Sequence, residues 1–223
     1  ELKPSNLTFE QAAAFQTAYL TAYVSLVRRG NLMKGESLLV HGSTGGVGMA
    51  AVQLGKYLGA KVIATGTSEE KLKHTKSWGA DHTILTHKNG KVEFREEVKD
   101  LTEGKGADVI YDPVGGDVFD QSIRCINWGG RLLVVGFASG RIPSLPVNMA
   151  LIKGFSVIGV RAGEFGRKDP LAGKENNVAI REICEAGHFN PHVCKEFNLS
   201  QAKEAIQYLS ERKLIGKVVI KTD

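Results

Sequence analysis

The chain has 223 residues, 42% of them hydrophobic, with 26 glycines and a formal charge of +5. That is enough apolar chain for one large buried core. It is too hydrophobic for a disordered segment and lacks the sustained apolar run of a membrane helix. Taken in order, residues 1–36 read as a helical lead-in. Thr8 and Gln11 have the spacing of a capping box, and residues 12–29 place apolar side chains on helical faces, in two helices meeting near Gln16-Thr17 and stopped by Gly30-Asn31. Tyr19 and Tyr23 are expected in the core.

Residues 37–68 organise the rest. A short apolar run, 37–41, reads as a buried parallel strand, and Gly42, Gly45, Gly46 and Gly48 follow at once. Residues 49–58 carry helical spacing, Gly59 ends that helix, and 61–65 form a second buried strand. Strand, glycine turn, helix and strand make one βαβ crossover. The glycines alone fit a tight turn. Within this crossover they fit a dinucleotide site, with the pyrophosphate on the free N–H groups that open the helix. Ser43 stands where the usual G-x-G-x-x-G has its first glycine. No carboxylate follows at the tip of the second strand, where Gly66-Thr67-Ser68 and then Lys71 stand instead. An NAD site needs an acid there for the ribose 2′-OH, so NADP(H) is favoured, with Thr67, Ser68 and Lys71 near the 2′-phosphate.

Beyond this unit a helix is expected over 69–78, a strand over 81–85, a polar loop over 88–91 and a mixed-charge helix over 92–102. A fourth strand, 107–112, runs into Pro113-Val114-Gly115-Gly116 and a helix over 117–126. A fifth, 130–136, leads to the loop Phe137-Ala138-Ser139-Gly140, and a proline-bearing connection leads to a sixth, 155–160. Six strands alternating with helices predict an α/β fold with a doubly wound parallel six-stranded sheet in the order 3-2-1-4-5-6. The glycine loops 42–48, 112–116 and 136–140 would then converge at the carboxyl ends of the strands. In the tail, Ser200 can cap a helix carrying Ala202, Ala205, Ile206 and Leu209, followed by Gly216 and a strand over 217–220. His74, His82 and His87 do not have metal-ligand spacing, and Cys194 with His188 and His192 falls short of a four-ligand set, so no metal site is expected. Cys125, Cys184 and Cys194 are odd in number and never form a C-x-x-C pair. They read as buried, reduced thiols in an intracellular compartment.

The run Gly42-Ser43-Thr44-Gly45-Gly46-Val47-Gly48, with Ala51, Gln53, Gly55 and Gly59-Ala60, resembles the zinc-free quinone oxidoreductase (zeta-crystallin-like) branch of the medium-chain dehydrogenases/reductases. Further matches are Tyr19-Leu20-Thr21-Ala22-Tyr23, Trp78-Gly79-Ala80-Asp81, Tyr111-Asp112 with Val114-Gly115-Gly116, Gly129-Gly130-Arg131, Gly136 with Ala138-Ser139-Gly140, and Gly216-Lys217-Val218-Val219. The resemblance implies a Rossmann dinucleotide-binding domain over 37–189 after the lead-in 1–36, and a tail, 190–223, that in relatives returns to an amino-terminal substrate domain. Glu1 would lie just after the hinge, and this fragment alone would have little turnover. The resemblance also implies cofactor contacts at Thr21, Ser43, Gly45, Gly46, Val47, Thr67, Ser68, Lys71, Thr86 (where many relatives carry a tyrosine), Val114, Phe137, Ala138, Ser139 and Arg212.

Residues 15–18 contain no cysteine at the place of a zinc ligand in alcohol-dehydrogenase relatives, and no catalytic residue is identified. The implied reaction is hydride transfer from NADPH to a quinone or an α,β-unsaturated carbonyl, with an enoyl-thioester reductase or a non-enzymatic RNA-binding or lens structural relative as alternatives. Lysines dispersed among acids disfavour nucleic acid. A homodimer through the edge strand 155–160 is expected, in the cytoplasm, or in the mitochondrial matrix if a targeting peptide preceded Glu1.

Overall fold

The computed structural model describes residues 2–88 and 90–222. Thr8 caps α1 (Phe9–Tyr23): its hydroxyl accepts from the Gln11 amide while the Gln11 side chain accepts from the Thr8 amide. The sequence reading expected two helices meeting near Gln16-Thr17, but α1 runs through that point unbroken. The helix instead loosens at Val24 into a π-helical stretch, Val24–Arg29, because Gly30 donates to Ser25 five residues back. Tyr19 is fully buried and stacks on Phe15.

Strand β1 (Ser37–Val40) is buried throughout, as its apolar run requires. The crossover continues through α2 (Gly46–Tyr57), β2 (Lys61–Gly66) and α3 (Glu69–Ser77) to β3 (His82–Leu85). The polar loop expected at 88–91 is a small antiparallel hairpin of β4 (His87–Lys88) and β5 (Lys91–Val92), with Asn89 outside the described residues. Val92 therefore belongs to a strand, and α4 (Arg95–Leu101) begins only after Phe94 has turned into the core. Next come β6 (Ala107–Asp112), α5 (Gly116–Ser122) and β7 (Ile126–Val134). Here α5 ends four residues earlier than expected, since Ile126 already pairs with Ala107 in the sheet. Then α6 (Val147–Lys153) leads to the edge strand β8 (Ser156–Gly159).

The sheet is entirely parallel, in the order β3-β2-β1-β6-β7-β8, which is 3-2-1-4-5-6 counted over its own strands. One core lies under α1 and α2, built on Leu38, Val40, Met49, Val52 and Leu54; the other packs Leu39, Ile63, Phe94, Ile110 and Leu132 on the opposite face. Each of these side chains contributes about 1.5–3 kcal/mol by leaving water.

Three helices escaped the sequence reading: α6, within the proline-bearing connection, α7 (Ala162–Lys168) and α8 (Pro170–Glu185), the last with proline in its first turn and an Asp169 cap. The tail packs as β9 (Val193–Asn198), a short 3₁₀ turn, α9 (Ala202–Ser210) and β10 (Lys217–Lys221), with β9 and β10 paired in parallel. Asn198, not Ser200, makes the capping box there, with Gln201. Lys221 bridges Glu10 at 2.9 Å and Glu196 at 2.8 Å, and Gln53 exchanges hydrogen bonds with the Asn190 backbone. No helix among the described residues is long and apolar enough to cross a membrane.

Candidate dinucleotide site

The crevice where the strand order reverses lies between the carboxyl ends of β1 and β6. Gly42 takes a positive φ of 56° directly after β1 and sends the chain back toward the sheet. Ser43 then faces inward, its amide and its hydroxyl both donating to the Thr65 carbonyl. A Cβ on Gly48 would strike the backbone of Gly42 and Ser43, so only glycine lets the first turn of α2 pack this close. The amides of Val47 and Gly48 find no partner among the described residues, while Gly46 adjoins the bridge between Gly45 and Gly216. They carry the positive end of α2's dipole, which suits a phosphate group.

The other two glycine loops complete the crevice. Buried Asp112 accepts from the Val114 amide at 2.8 Å and the Gly115 amide at 2.9 Å, so its carboxylate shapes the loop after β6, while burial pushes its pKa up. Ala138 and Ser139 donate to the carbonyls of Pro113 and Val114, which joins the loop after β7 to this one. Phe137, Ala138 and Ser139 are exposed along its rim.

Beneath the turn, His41 is fully buried, with Nδ1 2.8 Å from Thr65 Oγ1 and Nε2 2.8 Å from Ser122 Oγ. Ser122 already donates to the Val118 carbonyl, so its oxygen accepts from His41 Nε2–H and Nδ1 accepts from Thr65. Burial pushes this imidazole down to about 3, so it is a neutral strut beneath the phosphate turn.

The other expected contacts fall out unevenly. Thr67 is exposed at the tip of β2 with no carboxylate beside it in sequence, and Ser68 caps α3 by accepting from the Lys71 amide at 3.4 Å. Thr86 is buried, its hydroxyl donating to the Gly66 carbonyl at 3.0 Å, so like Ser43 it braces the site from inside. The Thr21 hydroxyl donates back to Thr17 within α1. Arg212, in the left-handed conformation with a φ of 54°, is exposed in the turn after α9.

Lys71 does not point free: its ammonium donates to the carbonyls of Arg212 and, at 3.1 Å, Leu214. The sequence reading missed what these carbonyls belong to. The C-terminal segment runs over the phosphate turn, the Gly216 amide donating to the Thr44 carbonyl at 2.7 Å and the stem of Lys217 lying against Gly46. The match at Gly216-Lys217-Val218-Val219 was the one signal that could have found it.

A cavity of about 320 Å³ lies at the opposite, amino ends of the strands, among Ser37, Lys61, His82 and Asp108. It has none of the converging glycine loops that mark the other end.

Residues 46–172 match the sequence profile described as zinc-binding dehydrogenase. The chain belongs to the zinc-binding dehydrogenase family. Within that family it is 41% identical over 222 residues to quinone oxidoreductase-like protein 2 homolog of Nematostella vectensis, a match covering 98% of this chain and 60% of that protein. The chain thus spans about 60% of the length of the curated relatives it matches. Among solved structures it resembles mycobacterial Rv1454c complexed with NADPH, with a TM-score of 0.89 at 29% identity over 97% of this chain and 66% of the other. It also resembles an NAD-dependent alcohol dehydrogenase, with a TM-score of 0.88 at 35% identity over 100% of this chain and 62% of the other. These likenesses place the chain in the medium-chain dehydrogenase/reductase superfamily.

The family's description calls for a zinc test. Among the described residues no group of three or more His, Cys, Asp or Glu converges to hold a metal; His74 and His192 approach to 5.8 Å between ring centres beside Trp78, but only as a pair. These residues do not fit a zinc site, which takes three or four protein ligands.

Proposed function

We propose that this zinc-binding dehydrogenase relative is the NADPH-binding part of an oxidoreductase that reduces a quinone or an α,β-unsaturated carbonyl, enoyl thioesters among the latter. The observation that carries the reading is the pair of unpartnered amides at Val47 and Gly48 in the first turn of α2, set beside a β2 tip that bears Thr67 and Ser68 and no acid. Those amides, with Gly45 shaping the turn, hold the pyrophosphate. Thr67 and Ser68, with Arg212 nearby in the turn after α9, suit the 2′-phosphate.

Val114 and the exposed Phe137-Ala138-Ser139 line the continuation of the crevice. Thr21, Ser43 and Thr86 shape the walls through their hydrogen bonds to main chain. When bound, the nicotinamide supplies the hydride. The residues of this chain bind and orient, and no general acid is assigned among them.

Residues 1–36, 37–189 and 190–223 serve as lead-in, cofactor domain and a tail that meets a substrate domain. The tail's α9 leaves Ile206 and Leu209 exposed, an apolar face suited to that contact. The place of β8 at the sheet edge, with Val157 exposed on it and Val147, Leu151 and Ile152 exposed on α6, supports a homodimer through this strand.

Calorimetric titration tests the reading. NADPH is expected to bind at least ~10-fold tighter than NADH, about 1.4 kcal/mol, and tighter binding of NADH would overturn the selectivity argument. Assay of the full-length protein with NADPH against a panel of quinones and enoyl thioesters then assigns the acceptor.

A further inference from the structure

The C-terminal segment is anchored through His192. The His192 amide donates to the Met49 sulfur of α2 at 3.3 Å, and its carbonyl accepts from the Lys217 amide at 2.9 Å. Gly216, with a φ of 68°, passes so close that a Cβ there would run into the same carbonyl. The Gly216 amide in turn donates to Thr44, beside the bridge to Gly45. Whatever holds His192 in place therefore also holds the start of β10 against the phosphate turn.

What holds it is a cluster of rings with α3. Between centroids, the His192 imidazole lies 5.8 Å from His74 and 5.9 Å from Trp78, and His74 lies 6.3 Å from Trp78. Neither imidazole makes a hydrogen bond or ion pair among the described residues. The charged neighbours offer no counter-charge. On α3, Glu70 and Lys71 lie one turn before His74; Glu70 forms no ion pair with it, and Lys71 donates to the Arg212 and Leu214 carbonyls. On α2, Lys56 pairs with Asp81 at 2.6 Å and Tyr57 lies against His188. On the tail, Cys194 follows two residues after His192, and Lys217 adds a further cation.

Histidine is the side chain whose charge changes between pH 5 and 8. Burial first, and then the neighbouring His74, hold His192 below its ordinary value of 6.5. The docked ring is thus neutral, and it takes a proton more readily once the tail has lifted and water reaches it. Docking is fully favoured above pH 6.5 and weakens as pH falls from there toward the lower docked value. The face of Trp78 can receive one cation, but two charged imidazoles repel each other across the cluster.

We propose that His74 and His192, packed around Trp78, form a pH-operated latch: neutral rings hold the start of β10 on the phosphate turn, and acid releases it. The latch stands on the ring cluster alone. Its effect on a cofactor rests on the reading of the crevice as a dinucleotide site.

The test uses His192→Phe and His74→Phe, which keep a ring against Trp78 and remove one titrating group each, with His192→Gln as a smaller replacement. Hydrogen exchange without cofactor comes first, at pH 7.5 and 5.5, corrected for intrinsic rates. Strands β1 and β6 report global opening, including any acid effect of buried His41. Relative to them, the amides of Gly216 and Lys217 should lose protection ~5-fold or more at the lower pH in the parent, and less than ~2-fold in either His192 variant. Equal pH dependence in parent and variants would overturn the latch whether or not any nucleotide binds. The His192 ring proton, followed by NMR, should titrate below 6.5 in the parent and move up in His74→Phe. An unmoved midpoint would overturn the pairing of the two rings.

Titration with NADP⁺ at both pH values comes second. Its affinity should fall with acid ~3-fold or more further in the parent than in His192→Phe, the cofactor's own titration cancelling in the comparison. Equal falls would overturn the latch's hold on the cofactor. Failure of the parent to bind at either pH would instead overturn the dinucleotide reading, and the exchange result would decide the latch.

Discussion

The buried imidazole beneath the phosphate turn makes the fold sensitive to acid in a way that can be worked out in advance. His41 titrates near 6.5 in an unfolded chain and is pushed down to about 3 by burial in the folded one. Between those values the unfolded state binds a proton that the folded state refuses, so stability falls as pH drops below 6.5 and this contribution is fully present above it. The slope approaches about 1.4 kcal/mol per pH unit. From pH 7.5 to 4.5 this single group should remove about 3 kcal/mol, out of the roughly 5–15 kcal/mol typical of a domain.

Charging the ring would also demand a second donor toward Thr65 Oγ1, which now donates to it. The perturbation is His41→Gln, which removes the titration and keeps a polar side chain. Urea unfolding of both proteins across that range isolates the effect, because shared contributions such as the lowered carboxylates of Asp81 and Asp108 cancel in the difference. The variant should be the weaker protein at pH 7.5, and the gap should narrow by about 3 kcal/mol at pH 4.5. A gap that stays constant with pH would refute the neutral buried strut.

Further outcomes follow from the same geometry. Gly48→Ala forces a methyl onto the main chain of Gly42 and Ser43 and should cost about 1–3 kcal/mol in thermal or urea unfolding while weakening NADPH more than ~10-fold. Thr67→Asp places a carboxylate at the exposed tip of β2 and should turn the ratio of NADPH to NADH affinity toward NADH, read by titration. Light scattering at micromolar concentration should show the proposed dimer for the parent and a monomer for Val157→Lys, which puts a charge on the sheet's outer strand; a monomeric parent would refute the dimer.

Much of this molecule can be read directly from its residues, for reasons that are local. The strands 37–41, 61–65 and 107–112 are short apolar runs next to glycine, and such runs have few alternatives to a buried parallel sheet. Their order follows from the crossover rule, so the crevice could be located before any coordinates. What escaped was set by partners distant in sequence. Helix α8 carries Ala172, Asn176, Ile180 and Ile183 on its buried side, but Asn176 interrupts the apolar stripe because it is there to accept from Arg28 Nε at 2.7 Å. The loosening of α1 at Val24 leaves no mark in composition, since a five-residue step uses the same residues as a four-residue one. Strand β9 is largely exposed and exists because β10 lies beside it. The contact between Lys71 and the main-chain carbonyls of Arg212 and Leu214 spans the chain, so sequence spacing gives no sign of it.

The most direct test of the account observes the phosphate turn itself. In the ¹H–¹⁵N spectrum of labelled protein, NADPH should shift the amides of Gly46, Val47 and Gly48 first and furthest, with smaller changes at Thr67 and Ser68. Gly35 and Gly106, at the amino ends of the strands, should stay where they are. Shifts at Gly35 and Gly106 with the three turn amides unmoved would place the nucleotide at the wrong end of the sheet and contradict the account.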